Sequence, residues 1–399
     1  MKSGNWTALG LVLAALLAGC KGFWDLPPST GTGTGTTPTT LSSGVFYVLN
    51  QTTKQIAAYA ISSGTLDNVT GSPFTLSAAP TSIAVAPGGQ FLYVGTVDGI
   101  YLYTIGSGGA LTVGNNGATI SGDIPNAMVV SGSWLVDAFT NGNGSVQLDA
   151  IQVNSSTGVY AGPGGAPPTQ TFNIANASVL QMVLSPDRAN LFVVLDAGGT
   201  IVVPFASSNS NPLGSTTMTI PVANSGGHAL SVAVDPTTTP RLFYIGETLA
   251  NAGANSGGLR VFNYSSLGSG IVTQATGSPI ASGGLAPNAI LPIAGGEYVY
   301  VANGTGTTSA GNVAWFPITA SGTTYTVAAG STIASGIQPI GLAEDSDDNF
   351  VLAVATGGST SSGDPDLEAY TMSSGALTAA ITAKTGTDPV GAVAIAALP

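Results

Sequence analysis

Short runs of alternating apolar residues recur along the chain, and turns rich in glycine, proline, asparagine or aspartate separate them. Alternation with a period of two is typical of β-strands. Beyond the N-terminal segment, no stretch repeats its apolar residues at helical spacing, so the pattern predicts an all-β protein. In one clear unit, strands are predicted at residues 81–86, 90–96, 100–105 and 111–120.

The first strand of this unit recurs seven times. Its copies begin at positions 80, 125, 179, 229, 287, 339 and 389, so successive starts lie 45 to 58 residues apart. A period near fifty with about four strands per unit is typical of a β-propeller with four-stranded antiparallel blades.

The two ends of the repeat region complement each other. The run from Val45 looks like strands two to four of a unit without its first strand, and the run from Pro389 is a first strand alone. Together they make a closing blade, which removes the open sheet edges. The sequence therefore predicts a seven-bladed propeller over residues 45–399. A six-bladed ring with a stray terminal strand is the alternative.

The N-terminal segment has the features of a bacterial lipoprotein signal. Lys2 precedes a short apolar run, and Leu17-Ala18-Gly19-Cys20 resembles a lipobox. Cys20 is the only cysteine, so it cannot form an internal disulfide. We expect a signal peptide at 1–19, a lipidated Cys20 with a flexible linker at 20–44, and a membrane anchor in the cell envelope, at the outer membrane. A plain signal peptide with an incidental cysteine is the alternative.

Charge is sparse and acidic. Only 7% of the 399 residues are charged, and the net charge is −12. No basic stripe is present, so a nucleic-acid partner is not expected. Asp345, Asp347 and Asn349 alternate as in calcium loops, but the spacing fits an Asx turn better. We therefore expect no cofactor, with calcium there or beside Glu368 as the alternative, and a monomeric protein.

Two stretches carry a family resemblance, residues 86–112 (APGGQFLYVGTVDGIYLYTIGSGGALT) and residues 185–205 (SPDRANLFVVLDAGGTIVVPF). The repeat region resembles the lactonase-type seven-bladed β-propeller family, which includes 6-phosphogluconolactonases and YVTN-repeat surface propellers. Enzymatic members carry a histidine-rich first strand, and HALSVAVDP from His228 is similar to it. Glu247 stands where that family has aspartate, and Arg260 stands near its arginine. Leu230 replaces a second histidine, so the set is incomplete.

The resemblance implies a lactone-hydrolysing site with His228 as the base, Glu247 as its orienting acid and Arg260 as the oxyanion partner. Strand order places all three on one face of blade four. The alternative is a histidine at a strand start and a glutamate–arginine pair in a solvated loop. Few cations occur on this face, which argues against a phosphorylated substrate.

Long loops at residues 248–258, 303–312 and 357–366 lie on the same face of blades four to six and suggest a binding surface. Three functions fit the sequence. The first is an envelope-anchored binding or scaffold propeller for a protein or glycan. The others are a hydrolase that opens an unphosphorylated sugar lactone, and a structural envelope component.

Overall fold

The computed structural model describes residues 44–62, 65–162, 165–215, 218–237, 242–251, 256–266, 271–293, 297–305, 309–321, 324–328, 330–345, 348–357, 367–383 and 392–398. The predicted signal peptide, Cys20 and nearly all of the linker lie outside these residues. Within them the chain forms strands and two 3-10 turns. No helix among the described residues has the length and apolar character needed to cross a membrane.

The strands form four-stranded antiparallel groups, here called blades and numbered by their first strands along the chain. The N-terminal strands are β1 (Val45–Asn50), β2 (Gln55–Ser62), β3 (Thr65–Asn68) and β4 (Phe74–Thr75). Blade 1 contains β5 (Pro80–Val85), β6 (Phe91–Thr96), β7 (Gly99–Ile105) and β8 (Leu111–Val113). Blade 2 contains β9 (Ala127–Ser131), β10 (Trp134–Thr140), β11 (Val146–Gln152) and β12 (Thr169–Phe172). Blade 3 contains β13 (Ala177–Leu184), β14 (Asn190–Asp196), β15 (Thr200–Pro204) and β16 (Met218–Ile220).

The remaining blades follow in the same order, and in blades 4 and 5 the third strand pairs with two short strands. Blade 4 contains β17 (Ala229–Val234), β18 (Leu242–Glu247), β19 (Gly258–Ser266), β20 (Ile271–Gln274) and β21 (Ile280–Ala281). Blade 5 contains β22 (Ala286–Pro292), β23 (Tyr298–Gly304), β24 (Ala310–Ser321), β25 (Thr324–Val327) and β26 (Ser331–Ile337). Blade 6 contains β27 (Pro339–Glu344), β28 (Phe350–Ala355), β29 (Leu367–Ser373) and β30 (Ala376–Ala383). The last strand is β31 (Ala392–Ala397).

The two ends of the chain meet in one sheet. Strand β31 pairs antiparallel with β1, for example Ala397 with Phe46, so the closing blade combines β31 with β1 to β4. The first strands contact one another in the cyclic order β5, β9, β13, β17, β22, β27, β31 and back to β5. The prediction of an all-β propeller is confirmed. Within the described residues these strands form the inner ring, and β31 pairs with β1.

The core consists of apolar layers between adjacent blades, because each sheet buries both of its faces. Tyrosines in the second strands add polar contacts across these layers. Their buried hydroxyls donate to a glycine carbonyl in the next blade: Tyr47 to Gly109 (2.8 Å), Tyr93 to Gly158 (3.0 Å) and Tyr300 to Gly375 (3.0 Å). These three tyrosines thus join neighbouring blades.

The fourth strand of blade 1 is shorter than predicted. The sequence pattern favours a strand over 111–120, but β8 ends at Val113 and a 3-10 turn spans Asn115–Gly117. Asn115 and Asn116 have φ angles of 48° and 52°, in the left-handed region that interrupts a strand.

Candidate functional site

His228 stands at the entrance to the first strand of blade 4. Its backbone N–H donates to Oγ1 of Thr248 (3.0 Å), and Thr248 N–H donates to the His228 carbonyl (2.9 Å). These two bonds tie the histidine to the residue that follows β18. The His228 side chain is 47% exposed, so a ligand approaching this face can reach the imidazole.

Asp196, from the neighbouring blade, holds the imidazole. Its Oδ1 lies 2.7 Å from Nδ1 of His228. Asp196 ends β14 with a φ of 54°, a left-handed conformation that aspartate tolerates better than most residues. Asp196 also pairs with Ala229, the first residue of β17. An Nδ1–H that donates to the carboxylate leaves Nε2 as a hydrogen-bond acceptor and potential base.

Glu247 and Arg260 form a separate, buried ion pair. Nη1 of Arg260 lies 2.7 Å from Oε1 of Glu247, and the two side chains are 9% and 2% exposed. Nη1 also donates to the Pro221 carbonyl (2.7 Å), and Nη2 donates to Oε1 of Gln274 (2.9 Å). The guanidinium lies over the ring of Phe262, 4.8 Å from its centroid.

The second oxygen of Glu247 is engaged as well. Oε2 accepts a hydrogen bond from Ala223 N–H (2.9 Å). Glu247 and Arg260 therefore both bind the segment that links blade 3 to blade 4, at Ala223 and Pro221. These contacts hold the linker next to β17, the strand that His228 directly precedes.

The structure thus divides the three residues predicted as a catalytic group. Glu247 and Arg260 come together, but the acid bonded to His228 is Asp196, so the expected pairing of His228 with Glu247 is corrected. The reason is that Glu247 points to the buried linker side of its blade. Asp196 was not predicted from the sequence, because it comes from the neighbouring blade and not from the blade of His228. The signal available was Asp196-Ala197-Gly198 at the end of the preceding second strand.

The first strands enclose a central channel with a cavity of about 310 Å³. Leu230 lines this cavity two residues after His228, which places His228 roughly 7 Å along the strand from it. Polar groups of the wall serve mainly to join the blades. Thr81 Oγ1 donates to the Pro125 carbonyl (2.6 Å), and Asn288 Nδ2 donates to the Pro339 carbonyl (2.9 Å). The wall of the channel near the histidine exposes more polar than apolar surface.

A larger cavity, of about 750 Å³, lies at the outside of blades 2 and 3. Trp134, Tyr160 and Gln152 contribute to its wall, together with the segment from Ser207 to Asn211. Trp134 Nε1 donates to the Ser207 carbonyl (3.0 Å), so the indole is fixed in place. Aromatic rings and small polar side chains make this cavity a second candidate binding site.

The sequence alternative of a calcium loop at residues 345–349 falls on a turn. Oδ1 of Asp345 accepts hydrogen bonds from the backbone N–H groups of Asn349 (2.8 Å) and Phe350 (2.5 Å), so this oxygen holds the turn that leads into β28. Asp347 lies outside the described residues. Glu368 accepts from the hydroxyl of Tyr370 (2.6 Å) and from Gly336 N–H (3.0 Å), so its carboxylate joins blade 6 to β26 of blade 5.

No protein-family model and no curated protein sequence matches the chain. Solved structures do match it. A candidate 6-phosphogluconolactonase from Bacteroides uniformis has a TM-score of 0.66 at 14% identity and covers 89% of this chain and 99% of its own. The periplasmic gluconolactonase PpgL from Pseudomonas aeruginosa has a TM-score of 0.65 at 17% identity, with 90% of this chain and 99% of PpgL covered.

The chain has the lactonase-type β-propeller fold. A candidate 6-phosphogluconolactonase from Bacteroides fragilis supports the same conclusion, with a TM-score of 0.62 at 14% identity over 91% of this chain and all of its own. The resemblance predicted from the repeats is therefore confirmed at the level of the fold. At these low identities the similarity shows the fold alone. Any activity has to be argued from the residues of this chain.

Proposed function

We propose that this lactonase-type propeller hydrolyses an unphosphorylated sugar lactone, with His228 as the general base. The observation that carries the proposal is the contact between His228 Nδ1 and Asp196 Oδ1, on an exposed face beside the central channel. The fold shared with a protein named as a gluconolactonase supports the choice of substrate class.

The chemistry requires one histidine in two roles. Nε2 of His228 takes a proton from water while the water oxygen attacks the lactone carbonyl carbon. The tetrahedral intermediate then collapses, the ring C–O bond breaks, and the imidazolium returns its proton to the departing alkoxide, which gives the hydroxy acid. Asp196 stabilises the imidazolium between these steps and keeps the ring oriented.

The preference for an unphosphorylated lactone follows from the scarcity of cations. Arg260 is buried in its pair with Glu247. Lys54 is exposed, but it is a single cation in the β1–β2 turn. Phosphate recognition favours several converging cationic or N–H donors.

A lactone-hydrolysis assay on the purified full chain tests the proposal. Proton release from glucono-1,5-lactone and other sugar lactones is measured for the wild type, His228→Ala and Asp196→Asn. Asp98→Asn is the matched control, because it makes the same charge change at an exposed turn in blade 1. We expect His228→Ala to lose at least about 100-fold in rate above background. An unchanged rate in this variant overturns the proposal.

The cavity of blades 2 and 3 favours a second function, the binding of a glycan. Tyr160 offers an exposed ring, and the segment from Ser207 to Asn211 offers hydroxyl and amide groups, which suits a sugar surface. A glycan array with wild type and Tyr160→Ala tests it, since Tyr160 is partly exposed and contributes to the wall. Binding that is equal for both proteins contradicts this site.

We also propose that the chain is exported and anchored by a lipid on Cys20. The support is the lipobox-like sequence Leu17-Ala18-Gly19-Cys20 and the lone cysteine. When expressed in a bacterial host, the wild type should be found in the membrane fraction and Cys20→Ser in the soluble fraction. Equal distribution of the two proteins contradicts the anchor.

A further inference from the structure

Three aspartates converge between blades 1 and 2. Asp137 lies in the middle of β10, Asp149 lies opposite it on β11, and Asp123 comes from the segment that links β8 to β9. One carboxylate oxygen from each lies within 4.8 Å of the others. Asp137 and Asp149 are buried and Asp123 is half-buried. The group is distinct from the His228 site, which belongs to blades 3 and 4.

Asp137 occupies a position that is apolar in other blades. In the register of first and second strands it pairs with Met128, as Val94 pairs with Ile83 and Ile245 pairs with Val232. Val193, Val301 and Ala353 hold the same place in blades 3, 5 and 6. Packing does not explain a carboxylate at this core position, because valine, isoleucine or alanine fills it in the other numbered blades.

In the residues that the structure describes, the carboxylate of Asp137 lacks a hydrogen-bond partner and a cationic neighbour. Its side chain is fully buried, and neither carboxylate oxygen has a hydrogen-bond partner among the described residues. The ion pairs within the described part of the chain are His228–Asp196 and Arg260–Glu247, so no described lysine or arginine neutralises the three aspartates. A buried, unpaired carboxylate is costly unless it is neutralised or coordinates a metal.

The electrostatics of the cluster agree with this. Burial raises the pKa of Asp137 well above its ordinary value, and the charges of Asp123 and Asp149 raise it further, against the opposing effect of nearby backbone N–H groups. Burial also raises the pKa of Asp149, although Thr169 and Gln147 act in the opposite direction. Three carboxyl groups in one largely buried space concentrate negative charge, which a bound cation would neutralise.

The other two carboxylates are oriented by neighbours. Gln147 Nε2 donates to both oxygens of Asp149 (3.1 and 3.0 Å). The hydroxyl of Ser121 donates to Oδ2 of Asp123. These bonds hold the outer two groups while the third points unpaired into the space they share, as supporting residues around metal ligands commonly do.

We propose that Asp123, Asp137 and Asp149 bind a calcium ion that joins blade 2 to the linker from blade 1. The donor set is all oxygen and triply anionic, which suits a hard divalent cation and gives no nitrogen or sulfur for zinc or copper. Calcium accepts irregular geometry and six to eight oxygen ligands, so carbonyls and waters can complete the shell. Bound there, the ion fixes the segment containing Asp123 against β10 and β11.

Thermal unfolding of the purified full chain tests the site, in EGTA and in rising CaCl2 at constant ionic strength, with calorimetric titration of CaCl2 alongside. The site-directed variant is Asp137→Asn, which keeps the shape and removes the charge. The matched control is Asp67→Asn, the same change at an exposed position in β3. We expect calcium to raise the Tm of wild type and Asp67→Asn by about 3 °C or more. Calorimetry should give one site per chain.

Asp137→Asn should lose the calcium response and, in EGTA, melt no lower than wild type, because a repulsive buried charge has gone. If this variant fails to fold, Asp149→Asn replaces it, with the same loss expected. Two results overturn the proposal: wild type that neither binds calcium by calorimetry nor gains Tm, or a calcium response that is the same in wild type and in the aspartate variants.

Discussion

Oδ1 of Asp196 lies 2.7 Å from Nδ1 of His228, and the two residues belong to different blades. Asp196 ends the second strand of blade 3, and His228 directly precedes the first strand of blade 4. The single pair Asp196–Ala229 joins these two sheets at the same point. The His228–Asp196 pair therefore forms only where blades 3 and 4 meet, and neither blade alone contains it.

Replacing Asp196 tests whether this orientation matters for hydrolysis. Asp196→Asn should lower the lactone-hydrolysis rate about 100-fold, because the imidazolium loses its counter-charge and the ring loses its fixed tautomer. The rate is measured by proton release, and the melting temperature is measured in parallel. Asp98→Asn should keep the wild-type rate. A variant as fast as wild type would show that His228 works without Asp196.

The Glu247–Arg260 pair should matter for stability. Glu247→Gln leaves the Arg260 guanidinium buried without its counter-ion and weakens the hold on Ala223, so we expect a loss of about 3 to 5 kcal/mol in the free energy of unfolding. Urea unfolding followed by fluorescence measures it. The double variant Glu247→Leu/Arg260→Met should recover part of the loss, since no unpaired charge remains. A double variant less stable than Glu247→Gln contradicts this account.

The propeller could be predicted from the chain because its repeat is local. Alternation, turn residues and a period near fifty each indicate a strand unit without any long-range information. The register of the last strand could not be predicted in this way. The repeat aligned Pro389 with Pro80, yet Ala392 pairs with Asn50 at the end of β1, as Pro80 pairs with Thr96 at the end of β6. Small residues in the last copy leave its register open, and only pairing with β1 determines it.

The site was harder to predict because its contacts cross blades. His228 meets Asp196, and Asp123 meets Asp137 from a linker, so the partners follow from the order of blades around the ring. Glu247 and Arg260 form a buried pair, and sequence spacing gave no information about their burial. The burial of Asp137 could not be predicted for a further reason. The strand WLVDAFT keeps its alternation of apolar residues well enough to be recognised even with an aspartate on its buried face.

Two tyrosines at equivalent positions differ in what their hydroxyls contact. Tyr93 donates to the Gly158 carbonyl, whereas the Tyr244 hydroxyl is buried with no hydrogen-bond partner among the described residues. Tyr93→Phe should therefore cost about 1 kcal/mol, and Tyr244→Phe should be neutral or stabilising. Urea midpoints of the two variants and wild type check the difference. Equal losses would mean that both hydroxyls have partners in the native protein.

The last prediction concerns pH and Asp235, which follows β17. The side chain is buried, and its Oδ1 accepts from the N–H (2.7 Å) and hydroxyl (2.6 Å) of Thr237. Burial raises the pKa of this carboxyl above 3.8, although the bonds from Thr237 oppose the shift. The native state therefore binds the Asp235 proton more tightly than the unfolded state, and this contribution to stability is lost as pH rises from about 4 through the raised pKa.

Asp235→Asn removes that titration. The free energy of unfolding of wild type, relative to the variant, should fall as pH rises above about 4, with a slope of at most about 1.4 kcal/mol per pH unit. Urea unfolding of both proteins at several pH values between 3 and 7 gives the difference, in which the titrations of other carboxyls cancel. A difference that stays constant, or that grows in favour of wild type with rising pH, would mean that Asp235 ionises in the native protein at least as readily as in the unfolded chain.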